Sequence, residues 1–115
     1  MKQTYRKTIE DILVTQKKYQ DKDFSAKELA ALLGVPTYKL SRVMHAEFGM
    51  PYPDFVHSLR VKDARRLLAD KRLATCTIDM IGEMVGFANR ISFYNAFRKS
   101  EGVSPDQFRK IRLSD

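Results

Sequence analysis

Two stretches of this chain, about half its length apart, carry hydrogen-bonding side chains that could read the edges of nucleic-acid bases. The first contains Arg42, whose guanidinium fork fits the O6 and N7 acceptors of guanine, although a phosphate contact is the alternative. The second contains Asn95, whose amide could pair with adenine or remain solvated. The side chains predicted to face outward in the two stretches are Tyr38, Lys39, Ser41, Arg42 and His45, then Asn89, Arg90, Ser92 and Asn95.

Three of these side chains have alternative interpretations. Tyr38 could pack on a thymine methyl or bond a phosphate, and Arg90 could reach the DNA backbone or a base at the groove edge. His45 is a phosphate neighbour or a bystander. It is not expected to bind a metal, because the chain's other histidine, His57, has no carboxylate cluster beside it.

Four further residues are candidates for phosphate contacts. Ser25 and Thr77 stand at the start of short predicted helices, whose N-terminal amides can donate to a phosphate. Arg98 and Lys99 are expected to lie along the DNA backbone or to stay solvated.

The composition favours binding to a polyanion and disfavours catalysis. The chain has 115 residues and a net charge of +7, from 21 Lys and Arg against 14 Asp and Glu. Its hydrophobic content of 43% is that of a globular protein. No serine–histidine–acid set, phosphate loop or metal-ligand set can be assembled, so no enzyme, no cofactor and no metal are predicted.

The single cysteine and the hydropathy indicate a cellular compartment. Cys76 has no partner for an internal disulfide, which fits a reducing environment. No apolar run approaches the ~18 residues of a membrane span, and the N-terminus has no apolar signal region. A cytoplasmic chain without membrane contact is therefore expected.

Apolar periodicity predicts an all-α fold of seven helices without strands. The predicted helices cover about 4–19, 25–34, 37–47 and 54–69, a short segment after Thr77, 89–100, and a last segment after Ser104. Leu29, Leu32 and Leu33 are expected to form the buried face of the second helix, and Phe87, Phe93 and Phe97 are expected to lie in the core. Pro51 and Pro53 are expected to form a short rigid bridge before the fourth helix. Arg60, inside the apolar stripe of the fourth helix, is expected to pair with a carboxylate.

The chain contains an internal duplication. A shift of 52 residues places Ser25 on Thr77 and Gly34 on Gly86, and after the turn a shift of 53 places Leu40 on Phe93, Met44 on Phe97 and Gly49 on Gly102. Each half reads as a helix, a glycine turn and a second helix with a polar outer face. The predicted division is 1–53, a linking helix at 54–70, and 71–115.

The second half carries a spaced set of residues typical of one family. The set is Val85-Gly86-Phe87, Phe93, Phe97, Arg98-Lys99 and Gly102-x-Ser104-Pro105-x-x-Phe108-Arg109, preceded by Leu59-Arg60-x-x-x-Ala64-x-x-Leu67-Leu68. From about Thr8 to Arg109 the chain resembles the AraC/XylS family of bacterial transcriptional regulators. It departs from the family at four positions: Gly82 replaces the usual alanine, Met44 a phenylalanine, Phe108 a tyrosine, and Ile91 a polar residue.

The resemblance implies two helix-turn-helix subdomains joined by a long linking helix. Their reading helices, 37–47 and 89–100, would meet double-stranded DNA at two points about 34 Å apart on one face. RNA polymerase is a further candidate partner, and any dimerisation would use a domain outside this chain. The protein is either a stand-alone member or a C-terminal piece of a longer sensor.

One alternative to this interpretation remains open, and the two units are expected to contribute differently within it. A helical protein-interaction module without DNA specificity is the alternative function, which salt-independent binding would favour. Within the DNA-binding interpretation, the first unit is expected to do more of the base reading. The second, with Ile91 on its outer surface, is expected mainly to anchor.

Overall fold

Seven α-helices form in the computed structural model, which describes the backbone of residues 2–114 and the side chains of residues 5–114. These helices are α1 (Lys2–Glu10), α2 (Ala26–Leu33), α3 (Thr37–Phe48), α4 (Tyr52–Leu68), α5 (Ile78–Met84), α6 (Arg90–Glu101) and α7 (Pro105–Leu113). No strand occurs between residues 2 and 114. The all-α, seven-helix prediction is confirmed.

Side-chain caps mark helix starts in both units. The Ser25 hydroxyl accepts the Glu28 amide and the Glu28 carboxylate accepts the Ser25 amide, which completes the predicted capping box of α2. Ser104 and Gln107 make the same exchange at α7. Such caps occupy amide donors that a helix start otherwise leaves unpaired.

The first predicted helix does not run unbroken to residue 19. After α1 the chain makes a π-helical turn over Asp11–Thr15, then takes a left-handed conformation at Lys17 (φ 57°) and a 3₁₀ turn over Lys18–Gln20. This break turns Tyr19 back onto α4, where its hydroxyl donates to Asp63 Oδ2 at 2.8 Å. A tertiary contact therefore overrides the local helical pattern.

Two predictions were wrong, one about the buried face of α2 and one about the start of α4. Leu32 is 60% exposed. At 100° per residue it lies beyond Leu29, on the side away from Ala30 and Leu33, and a helix this short buries only one narrow face. Pro53 does not belong to a bridge before α4. It lies in the first turn of that helix, where its missing amide costs no intrahelical bond.

The core consists of two apolar clusters that share α4. Val56 of α4 packs with residues from α1 to α3, whereas Val61, Ala64 and Leu68 pack with residues from α5 to α7. The molecule measures 48 × 23 × 22 Å along its principal axes, so the long helix sets its elongated shape.

Arg60 joins the two clusters. The prediction that it pairs with a carboxylate was wrong. Its Nε donates to the Tyr19 carbonyl at 2.6 Å, and its Cζ lies 5.5 Å from the centre of the Phe87 ring. Gly86 makes this junction possible. At φ 109° a Cβ there would stand 2.4 Å from the Tyr19 carbonyl oxygen and 2.9 Å from Arg60 Nε. Burial lowers the pKa of Arg60.

Candidate nucleic-acid interface

Helices α3 and α6 hold equivalent places in two helix-turn-helix units. In the first unit α2 ends at Gly34, in the left-handed conformation at φ 71°, and α3 follows after Pro36. Helix α3 buries Leu40 and Met44. Helix α6 buries Phe93 and Phe97 at the equivalent positions of the second unit. Each helix leaves its other face exposed to solvent.

A cluster of phenylalanine rings fixes α6 from behind. Phe93 packs 5.1 Å from Phe87 and 5.9 Å from Phe97 between ring centres, and all three side chains are at most 2% exposed. Their predicted role in the core is confirmed. Gly82 lets α5 come close to this cluster, because a Cβ there would lie 2.6 Å from Phe93 Cδ2.

The predicted outward residues of α3 all lie on its solvent side. Tyr38, Lys39, Ser41, Arg42 and His45 are exposed. Arg42 is one turn beyond Tyr38, and its Cζ lies 5.7 Å from the centre of the Tyr38 ring. The two side chains therefore form one adjacent pair that carries an apolar ring and five N–H donors.

Several outward residues of α6 make hydrogen bonds within the protein. Asn89 caps the helix, since its Oδ1 accepts the Ser92 amide at 2.9 Å, and Ser92 is only partly exposed. Arg90 is held by Asp79 of α5, at 3.5 Å from Nη1, and by the Tyr94 hydroxyl, at 3.3 Å from Nη2. Asn95 remains exposed on the next turn.

These two units match a known family over most of the chain. A family described as a helix-turn-helix domain matches residues 29–111, from α2 into α7. The chain belongs to this AraC-type helix-turn-helix family. The matched residues contain the whole second cluster and the part of the first cluster from Leu29 onward, together with the turns at Gly34 and Gly86.

Known proteins resemble this AraC-type domain in sequence and in structure. The arabinose operon regulatory protein of Escherichia coli (strain K12) is 27% identical over 89 residues, which are 77% of this chain and 30% of that protein. The C-terminal domain of AraT, a response regulator from Geobacillus stearothermophilus, is 30% identical with a TM-score of 0.77, covering 97% of this chain and 85% of that one.

A DNA complex is among the similar structures. The DNA-binding domain of AdpA, a global transcriptional factor solved with a target DNA, has the same fold at a TM-score of 0.75 and 22% identity, covering 86% of this chain and 88% of that one. The chain spans between 12% and 32% of the length of the curated relatives that it matches.

The four candidates for phosphate contacts lie in different surroundings in this AraC-type domain. The hydroxyls of Ser25 and Thr77 are engaged in capping, with Thr77 Oγ1 accepting the Met80 amide at 3.0 Å. Arg98 lies over the Tyr94 ring at 5.8 Å. Lys99 lines a cleft of about 250 Å³ between α4 and α6.

A polar network at the start of α6 was not predicted from the sequence. Tyr94 donates to Asp106 of α7 and accepts from Arg90, which pairs with Asp79 of α5, so the network joins α6 to both neighbouring helices of its unit. The signal for it was the position of Tyr94, four residues after Arg90 and four before Arg98.

Two further classes of site have no counterpart among the described residues. Within residues 2–114 no three His, Cys, Asp or Glu side chains are grouped to hold a metal ion. None of the helices there combines the length and apolar character that a bilayer crossing requires.

Proposed function

We propose that this AraC-type domain binds double-stranded DNA sequence-specifically, with α3 and α6 in successive major-groove segments, and thereby regulates bacterial transcription. The repetition carries the proposal: two helices at equivalent places, each buried on one face, both turn hydrogen-bonding side chains to solvent. Major-groove segments on one face of DNA recur every ~34 Å. A molecule 48 Å long can hold two reading helices at that spacing.

The charge and the similar proteins support the same conclusion. The net charge of +7 supplies the sequence-independent attraction that DNA binding requires. AdpA, which shares the fold, was solved on a target DNA. The division into units at 1–53 and 71–115 around a linking segment, and RNA polymerase as a second partner, belong to this proposal.

The contacts support different roles for the two arginines at the reading helices. Arg42 lies on the exposed face of α3 beside Tyr38, where its fork can bind guanine O6 and N7 in the groove. Arg90 is held by Asp79 and Tyr94 at the start of α6, so we assign it to orienting the helix or to meeting the DNA backbone at the groove edge.

Selection of bound duplexes from a random pool tests the proposal. A defined sequence should emerge, and binding to it should weaken steeply between about 50 and 200 mM salt, because phosphate contacts release counterions. If no sequence is selected and binding ignores salt, the protein is a helical interaction module and the proposal fails.

Arg42→Ala tests the assignment of the base reader on the selected duplex. It should cost about 1–3 kcal/mol of binding free energy and relax the preference at one base pair, measured by fluorescence anisotropy on single-base variants. Lys110→Ala is the matched control, because it removes the same unit charge from an exposed position on α7. Equal weakening of Arg42→Ala on every duplex would mark a phosphate contact instead.

A further inference from the structure

Ile91 is the most exposed large apolar side chain of the second unit. It is 72% exposed on the first turn of α6 and belongs to neither apolar cluster. Its neighbours along the chain have structural roles, since Asn89 caps the helix and Arg90 is held by Asp79. The fold therefore gains little from an isoleucine at this position.

The internal repeat gives Ile91 a counterpart. The 53-residue shift that places Leu40 on Phe93 also places Tyr38 on Ile91 and Arg42 on Asn95. Tyr38 and Ile91 are each the second residue of their helix, and they are 67% and 72% exposed. Both units thus present an apolar side chain on the N-terminal turn, with a hydrogen-bonding side chain one turn later.

The chemistry of the major groove identifies what such a side chain can contact. Residues near the N-terminus of a reading helix reach base edges. Isoleucine has neither a hydrogen-bond donor nor an acceptor, so it can bind neither a phosphate nor a polar base edge. The apolar group that a base pair presents in the major groove is the C5-methyl of thymine.

We propose that Ile91 is a specificity-determining residue that packs on a thymine methyl in the half-site bound by α6. The inference rests on the proposed function and replaces a purely anchoring role for the second unit. Four helical residues rise about 6 Å, and one base-pair step about 3.4 Å. The thymine should therefore lie within about two base pairs of the base that Asn95 reads.

Uridine scanning of the selected duplex tests this proposal. Each thymine is replaced in turn by deoxyuridine, which removes only the methyl group, and affinity is measured by fluorescence anisotropy. Wild-type protein should lose about fourfold at one position, the effect of exposing one methyl group. Ile91→Ala should bind the unmodified duplex with a similar loss and show no further loss at that position. Asn95→Ala locates the α6 half-site by relaxing a preference nearby.

The control and the alternative outcomes separate this inference from the proposed function. Ile111→Ala removes an isoleucine that is 60% exposed on α7, and it should bind like wild type. Failure to select any duplex would reject the proposed function itself. If a duplex is selected but each deoxyuridine lowers the affinity of wild type and of Ile91→Ala equally at every position, only the inference about Ile91 is overturned. Unchanged binding by Ile91→Ala would also overturn it.

Discussion

Replacing Gly82 with alanine should destabilise the second unit, although alanine is the better helix former. The substitution gains about 1 kcal/mol of helix propensity. It also places a Cβ 2.6 Å from Phe93 Cδ2. That ring cannot swing away, because it is 1% exposed and packed between Phe87 and Phe97. Overpacking of this kind costs about 1–3 kcal/mol, so a net loss near 1 kcal/mol is expected.

The first unit shows how the clash can be relieved. At the equivalent positions it holds Ala30 and Leu40, so a larger helix residue faces a smaller core residue. Phe93→Leu alone should destabilise by leaving a cavity, and Gly82→Ala alone by overpacking. The double variant should be more stable than the sum of the two changes by about 1–2 kcal/mol, since contacting residues couple.

Urea unfolding of the wild type, both single variants and the double variant measures this coupling. Circular dichroism should follow a single transition with an unchanged m-value if only stability has changed. The reasoning is refuted if Gly82→Ala equals or exceeds the wild type in stability. It is also refuted if the two changes add without coupling, because Phe93 would then not meet the new methyl group.

Three further predictions concern α4 and the groups around it. Arg60→Met should cost about 1–3 kcal/mol of unfolding free energy by leaving the Tyr19 carbonyl unpaired, and a loss below about 0.5 kcal/mol in urea would contradict the bond. Burial raises the pKa of Tyr52 from 10.0 to about 12, so the unfolded chain ionises first and stability should fall as the pH rises between those values; Tyr52→Phe should flatten this fall. Burial and nearby Arg60 lower the pKa of His57 below 6.5, so protonation favours unfolding and stability should fall as the pH drops through that value; an equal fall in His57→Gln would reject this cause.

Local signals explain which parts of the fold were predictable from the sequence. The capping box at Ser25 and the glycine turn at Gly34 act within a few residues, so the ends of α2 could be located from sequence alone. The phenylalanine core followed from apolar spacing. The break after α1 could not be located this way, because its cause, the bond from Tyr19 to Asp63, joins residues 44 positions apart.

The site was predictable as a set of exposed positions but not as a set of roles. Periodicity places Arg42 and Arg90 alike on outer helix faces, but it does not identify the neighbours of either side chain. Only the folded structure shows that Asp79 and Tyr94 hold Arg90 while Arg42 lies beside the Tyr38 ring. The partner of Arg60 was predicted wrongly because it is a backbone carbonyl, and backbone carbonyls carry no sequence signature.

The second unit's turn packs on the first unit's N-terminal segment. A Cβ at Gly86 would stand 2.4 Å from the Tyr19 carbonyl oxygen, and Arg60 bonds that same carbonyl while lying over Phe87. A change of angle between the units would have to break this buried junction as well as bend α4. The spacing of α3 and α6 thus depends on residues outside their exposed faces. The exposed pairs, Tyr38 with Arg42 and Ile91 with Asn95, can therefore differ in chemistry without changing that spacing.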